Sequence, residues 1–135
     1  MKTRKRILIV DDEPYIVTLL ATRLASSGYD TLSAADGQRA LAMAKEERPD
    51  LIILDLMLPK MDGYRVCALL KKDARFAHIP VILFTARAQD QDRLMGAEVG
   101  AEAYITKPFD PQTMMTKIQE LLGNYEDAKT KEIPG

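Results

Sequence analysis

Short apolar runs, each followed by a stretch of helical periodicity, recur along the chain. The runs begin near Ile7, Thr31, Leu51, Val81 and Ala103, the beat of successive strand–helix units. In the first, third and fourth the apolar residues are continuous rather than alternating, which marks strands buried on both faces, as a parallel sheet requires. Helix punctuation agrees. Pro14 suits a first helical turn, Ile16, Leu19, Leu20 and Leu24 form an inner stripe, and Gly28 ends the helix. Asp36 caps a second helix carrying Ala40, Leu41 and Ala44, which closes before Pro49. Asp62 and Gly63 open a third, with Val66, Leu69 and Leu70 inward. The fourth pattern, near Gln89 to Val99, has only Leu94 and Ala97 as clear inner positions and is interrupted by Gly96. A fifth begins at Asp110-Pro111, turns Met114, Ile118, Leu121 and Leu122 inward, and stops at Gly123. Residues 1–123 therefore read as one domain, and 124–135 as a tail or the start of a linker.

Right-handed crossovers leave five such units few topologies. The expected fold is α/β: a doubly wound parallel sheet of five strands, the flavodoxin-like (βα)5 arrangement with order 2-1-3-4-5. Ligands of such sheets bind beyond the carboxyl ends of the strands, and here those ends share a polar character. Ile7 to Val10 runs into Asp11 and Asp12, Leu51 to Leu54 into Asp55, and Val81 to Phe84 into Thr85. Tyr104 and Ile105 lead to Thr106 and Lys107 ahead of Pro108. With the first strand beside the third, Asp11 and Asp12 face Asp55 across the switch point. Two carboxylates ~5 Å apart repel by roughly 3 kcal/mol at an effective dielectric of ~20, so three together require cations. Lys107 supplies one. Mg²⁺ is the natural remainder, because it takes oxygen ligands and keeps several waters. The pattern is that of a divalent-metal and phosphoryl site. Treating the acids as solvated helix caps accounts for Asp12, ahead of the first helix, but not for Asp55 or Lys107.

Composition narrows the partners. At 135 residues and 47% hydrophobic content the chain is one domain with room for a core. A formal net charge of −1 gives no global footprint for nucleic acid or anionic lipid, and Lys2, Arg4, Lys5 and Arg6 read as a solvated lead-in to the first strand. No direct nucleic-acid contact by this domain and no membrane association are expected. The apolar run after those basic residues is too short for a signal-peptide core, and none approaches a bilayer span. One cysteine, Cys67, excludes an internal disulfide and fits a reducing cytoplasm. Its neighbours Val66, Leu69 and Leu70 mark it as helix packing. His78, before Pro80, reads as an exposed loop residue rather than a phosphoryl donor.

Five fragments carry a family resemblance from Ile7 to Gly123. Ile-Leu-Ile-Val-Asp-Asp-Glu-Pro (7–14), Leu-Asp-Leu-Met-Leu-Pro (54–59), Asp62-Gly63, Thr85-Ala86 and Lys107-Pro108-Phe109 resemble the receiver domain of two-component response regulators. Each is weak alone; five in register at matching strand ends are specific. The resemblance implies that Asp55 is the nucleophile, accepting a phosphoryl group from a histidine kinase or histidine phosphotransfer protein as an acyl phosphate. It implies that Asp12, Asp55 and the backbone carbonyl of Met57 ligate Mg²⁺, with Asp11 acting mainly through water, and that the metal neutralises the transferring group. Lys107 and the backbone amide of Ala86 would bind the phosphoryl oxygens, and the Lys107–Pro108 peptide would be cis. Thr85 would hydrogen-bond a phosphoryl oxygen and draw the next loop inward. Tyr104 would then turn from solvent into the vacated space and remodel the face of the fourth helix, fifth strand and fifth helix, although β-propensity alone also favours a tyrosine there. Met57 and Arg87, two residues beyond Asp55 and Thr85, border the path of attacking water. Neither can orient water well, so slow self-hydrolysis is expected. The implied role is signalling, not turnover: a domain that catalyses only its own phosphorylation and dephosphorylation.

Competing readings fit less of the chain. An aspartyl-nucleophile phosphatase of the haloacid-dehalogenase type places a second Asp two residues after its nucleophile, whereas Pro14 follows Asp12 at that distance and no segment reads as a cap domain. A flavin-binding module shares the fold, but Asp-Asp-Glu-Pro in the first loop would repel a phosphate without a metal. The output is less legible. Met57 and Arg87 are similar to the receivers of winged-helix transcription factors, so a fused effector domain, a downstream protein target or a phosphorylation-dependent homodimer are the expected outlets. The fifth helix, however, carries Lys117 and no arginine, and Gly-Ala-Glu-Ala precedes Tyr104 where that branch has paired aspartates. The chain is either a stand-alone receiver or the receiver of a longer regulator.

Overall fold

The apolar runs become strands β1 (Arg6–Val10), β2 (Asp30–Ala34), β3 (Leu51–Asp55), β4 (Val81–Thr85) and β5 (Ala103–Thr106) in a computed structural model that describes residues 4–86, 95 and 97–122. They form one parallel sheet in the order β2-β1-β3-β4-β5, the flavodoxin-like order expected. The registers Val10↔Leu54 and Asp55↔Phe84 bring the carboxyl ends of β1, β3 and β4 to one edge. All five residues of β3 and of β4 are buried, which is what their unbroken hydrophobicity demanded.

Helices α1 (Pro14–Ser26), α2 (Gly37–Glu47) and α3 (Gly63–Lys72) and a C-terminal helix (Pro111–Leu122) cover the two faces. Side chains alternate along each strand, so the core divides in two. Leu8, Val10, Ile52, Leu54, Val81 and Leu83 pack with Ala40, Ala44, Val66, Cys67 and Leu70 on the α2–α3 side. Ile7, Ile9, Leu51, Ile53, Ile82 and Phe84 pack with Leu20, Leu24, Met114 and Ile118 beneath α1 and the C-terminal helix.

Most helix signals read from the sequence hold. Asp36 and Asp62 cap α2 and α3, accepting from the Arg39 and Arg65 N–H groups at 2.8 and 3.0 Å. Three differ. Glu13, not Asp12, is the N-cap of α1, and it caps without a side-chain bond. Leu69 is 38% exposed because the inner stripe of α3 runs through Gly63, Val66, Cys67 and Leu70, and Leu69 falls beside it. Of the expected fourth helix, described residues 95, 97 and 98 are helical; Ala97 is exposed, and Val99 packs on the core instead. Leu94 and Gly96 lie outside the described residues.

The opposite edge of the sheet is closed by Lys71. Its Nζ donates to the Ala77 and Ile79 carbonyls at 3.0 and 2.7 Å and to Glu102 Oε2 at 2.8 Å, while Glu102 Oε1 accepts from the Val81 N–H at 2.7 Å. Burial pushes the Cys67 thiol up to about 12, so it packs as a small apolar group rather than reacting as a thiolate. His78 is exposed, as expected.

Gly63 sets how closely α3 approaches the end of β3. A Cβ there would collide with the Asp55 carbonyl oxygen and lie 2.9 Å from Leu56 Cα, and both neighbours are backbone. Gly63→Ala should therefore destabilise the protein by about 1–3 kcal/mol, the usual cost of overpacking. A urea titration giving the parent midpoint would show that α3 can back away freely.

Candidate functional site

Parallel pairing delivers acid after acid to the same edge. Asp11 follows β1, its N–H donating to the Ala34 carbonyl of β2 at 3.1 Å; Asp55 is the last residue of β3. Both are nearly inaccessible, at 1% and 3% exposure, whereas Asp12 faces solvent. One carboxylate oxygen from each of Asp11, Asp12 and Asp55 lies within 4.8 Å of the others. The three residues read from the sequence as a cluster are thus brought together.

Lys107 joins them from the end of β5. Its Nζ is 2.9 Å from Asp11 Oδ2, 3.2 Å from Asp55 Oδ2 and 3.4 Å from Glu13 Oε1. It also lies 4.7 Å from the centroid of the buried Phe84 ring, a cation–π contact of the desolvated kind. The remaining oxygens are met by backbone: Asp11 Oδ1 accepts from Glu13 N–H at 2.9 Å and Asp55 Oδ1 from Met57 N–H at 3.1 Å. The Lys107 N–H donates to the Thr85 carbonyl at 2.7 Å, and the Lys107–Pro108 peptide is cis.

The electrostatics follow from burial. Burial raises the Asp55 carboxyl above its ordinary range, and the Asp11 charge adds to the rise; the Met57 N–H and Lys107 oppose it without cancelling it. Burial alone would lower the Lys107 ammonium, but the hydrogen bond to Asp11 and the charges of Asp55 and Asp11 outweigh it and hold Lys107 above its usual value. Among the described residues the carboxylates of Asp11, Asp12 and Asp55, with Glu13 beside them, outnumber the one Lys107 ammonium, and Asp12 is bonded to no described group. An all-oxygen donor set of this kind suits a hard divalent cation. The residues present fit Mg²⁺.

The other expected residues are less central. Thr85 is buried at 1% exposure and ends β4, one residue past the partner of Asp55. Ala86 is exposed and lines a groove of about 400 Å³ with Lys107, Pro108 and Phe109. Met57 is 59% exposed. Tyr104 is half-buried and packs on the α2–α3 core; its place opposite Leu83 gives it apolar surface to cover. Arg87 lies outside the described residues.

The sequence of this chain matches the response regulator receiver domain over residues 7–119. The chain belongs to that family. Among relatives of this receiver, the DNA-binding dual master transcriptional regulator RpaA of Synechocystis is 49% identical over 87% of the chain and 48% of its own length. The alkaline phosphatase synthesis transcriptional regulatory protein PhoP of Bacillus subtilis is 45% identical over 92% of the chain and 51% of its own. The receiver therefore spans about half the length of the curated relatives it matches. Of solved structures, a response regulator from Chloroflexus aurantiacus described as putative superposes with a TM-score of 0.85 at 31% identity, covering 90% of this chain and 99% of that one. Family membership points to a signalling rather than a catalytic role. No described helix of the receiver is long and apolar enough to cross a membrane.

Sequence reasoning missed two contributors to the receiver site. Glu13 braces Asp11 through its N–H and reaches Lys107 through its side chain, and the only trace of this was a third acid in the run Asp11-Asp12-Glu13. The Met57 N–H was invisible, since backbone groups carry no residue signature. The raised Asp55 value has a measurable consequence. A carboxyl whose folded value exceeds its unfolded one, about 3.9, stabilises the fold when protonated and loses that contribution as pH rises through the folded value. In chelator, Asp55→Asn should melt higher than the parent at neutral pH, with the difference shrinking toward about pH 4. A difference in melting temperature that stays constant over this range would contradict the electrostatic origin.

Proposed function

We propose that this receiver accepts a phosphoryl group on Asp55 in a Mg²⁺-dependent reaction and passes the event to the surface of the fourth helix, β5 and the C-terminal helix. The observation that carries the proposal is Asp55 itself, a buried carboxylate held between an ammonium and two further acids at the mouth of a parallel sheet. Asp12, Asp55 and the Met57 carbonyl would hold the ion, with Asp11 acting through water. Its chemistry is to neutralise charge on the transferring group.

The chain's own residues do the rest. The Met57 N–H and Lys107 fix the two Asp55 oxygens, so the nucleophile is oriented before a donor arrives. A carboxylate oxygen attacks phosphorus, a P–O bond forms, and the P–N bond of a phosphohistidine donor breaks with its electron pair returning to the imidazole. Lys107 then exchanges part of its contact with Asp55 for the phosphoryl oxygens, joined by the Ala86 amide and the Thr85 hydroxyl. The partners are a histidine kinase or histidine phosphotransfer protein upstream and an effector downstream. Residues 1–123 form the receiver, with 124–135 as tail or linker. The names of the relatives and the half-length match favour an effector that is a DNA-binding domain of the same regulator. Met57 and Arg87 tune the phosphoryl lifetime, and the cellular setting is the cytoplasm.

Thr85 continues the face of β4 that bears Val81 and Leu83, and Tyr104 packs on that same face opposite Leu83. This supports a path from Thr85 to Tyr104 along the α2–α3 side. Phosphorylation biases a pre-existing pair of states; reversing a 1:99 population needs about 5.5 kcal/mol of differential interaction, within reach of several charge-assisted hydrogen bonds.

Acetyl phosphate with Mg²⁺ should add one phosphoryl group to the parent and none to Asp55→Asn; unchanged labelling of that variant would refute the acceptor. Mg²⁺ at one hundred times its dissociation constant should stabilise the parent by about 2.7 kcal/mol, and Asp12→Ala should lose most of that gain in a melting experiment. An undiminished Mg²⁺ response would remove Asp12 from the ligand set. With beryllofluoride as phosphoryl mimic, Thr85→Ala should keep NMR shifts around Asp55 but lose most of those at Tyr104. Equal shifts at Tyr104 in both proteins would exclude Thr85 from the path.

A further inference from the structure

We infer that the first turn of α2 positions the β3–α3 loop, with Gly37 and Lys60 seating it so that Met57 holds Asp55; the inference rests on Asp55 being the phosphoacceptor. The loop runs from Leu56 to Asp62, and the group it offers Asp55 is backbone. The Met57 N–H donates to Asp55 Oδ1 at 3.1 Å, while the Met57 side chain is 59% exposed and is no buried anchor. Its place must come from the rest of the loop. The near end is fixed by buried Leu56, whose N–H donates to the Phe84 carbonyl at 3.2 Å and whose carbonyl accepts from the Gly63 N–H at 3.0 Å.

The far end is fixed by α2. Lys60 has φ 71°, and the Met61 N–H closes a three-residue turn onto the Pro59 carbonyl at 2.8 Å. That left-handed backbone is disfavoured for a residue with a Cβ, so it persists where its surroundings over-determine it. Two contacts do so. The Gly37 N–H donates to the Pro59 carbonyl at 3.4 Å, and a Cβ on Gly37 would collide with the Met61 carbonyl oxygen and lie 2.7 Å from Met61 Cβ. Lys60 Nζ lies 3.6 Å from Asp36 Oδ2, while Asp36 Oδ1 caps α2 through the Arg39 N–H. The Arg39 N–H, and less strongly Lys60, hold the Asp36 carboxyl below its usual range. One carboxylate therefore both starts a helix and tethers the loop beside the nucleophile. Glycine at position 60 would relieve the backbone but forfeit the tether.

Amide hydrogen exchange at Met57, followed by NMR on the metal-free full chain, tests this. Lys60→Met removes the ammonium and keeps the side-chain length. Exchange at Met57 should quicken about two- to fivefold, the range that an exposed ion pair supports, and Mg²⁺ should bind correspondingly more weakly in a parallel titration. Lys60→Arg should restore both. In an Asp36→Ser background, where serine still caps α2, Lys60→Met should change nothing further. Gly37→Ala should quicken Met57 exchange more than Lys60→Met does, and the lysine variants decide the matter if the alanine variant does not fold. Equal exchange in parent and Lys60→Met, or the same increment in the Asp36→Ser background, would overturn the inference. Failure of the parent to bind Mg²⁺ or to be phosphorylated at Asp55 would overturn the reading of the site instead, and the Met57 exchange result would still decide whether α2 seats the loop.

Discussion

The Lys107 ammonium sits between two buried carboxylates, 2.9 Å from Asp11 and 3.2 Å from Asp55. Carboxylates this inaccessible are tolerated only with a counter-charge and hydrogen bonds to their remaining oxygens. Lys107 supplies the charge, and the Glu13 and Met57 N–H groups supply the bonds. The balance is incomplete, since among the described residues Asp11, Asp12, Glu13 and Asp55 face one lysine and the Asp55 carboxyl remains raised by burial. A site left short of positive charge in this way is ready to take more of it from outside. It also ties together β1, β3 and β5, so a change of charge at Asp55 is felt at three strand ends at once.

The two faces of the sheet divide the work. Asp55 continues the face of Leu51 and Ile53, and Lys107 that of Ala103 and Ile105, so the charged cluster rises from the side packed by α1 and the C-terminal helix. Thr85 and Tyr104 belong to the opposite face, beside Val81 and Leu83. A strand end at which both faces meet is where charge on one side can bias packing on the other. On that face Tyr104 is half-buried, its ring packed against the α2–α3 core.

Small residues govern how closely the framework closes around the charged cluster. Gly63 lets α3 start against the Asp55 carbonyl, and Gly37 lets α2 press on Met61. Between these contacts the β3–α3 loop presents the Met57 N–H to Asp55 while the Met57 side chain is largely exposed. The precision of the site is therefore borne by backbone approach as much as by the charged side chains.

The five strands were legible in the chain, three of them from the unbroken apolar runs that a two-sided parallel sheet forces, and the crossover rule leaves five such strand–helix units few orders. The same pattern places Asp11, Asp12, Asp55 and Lys107 at one edge from the sequence alone. Helix detail was less legible where the stripe was ambiguous: Leu69 and Ala97 proved exposed, since a difference of one position rotates a side chain by about 100°. Tertiary structure alone decided that Glu13 and the Met57 amide brace the site, that Tyr104 packs on the core, and that the start of α2 meets the β3–α3 loop, Gly37 against Pro59 and Met61 and Asp36 against Lys60. These are long-range or backbone contacts. Sequence encodes the periodicity of side chains, but the close approach of two main chains depends on how the packed elements settle against each other, and no residue pattern records that.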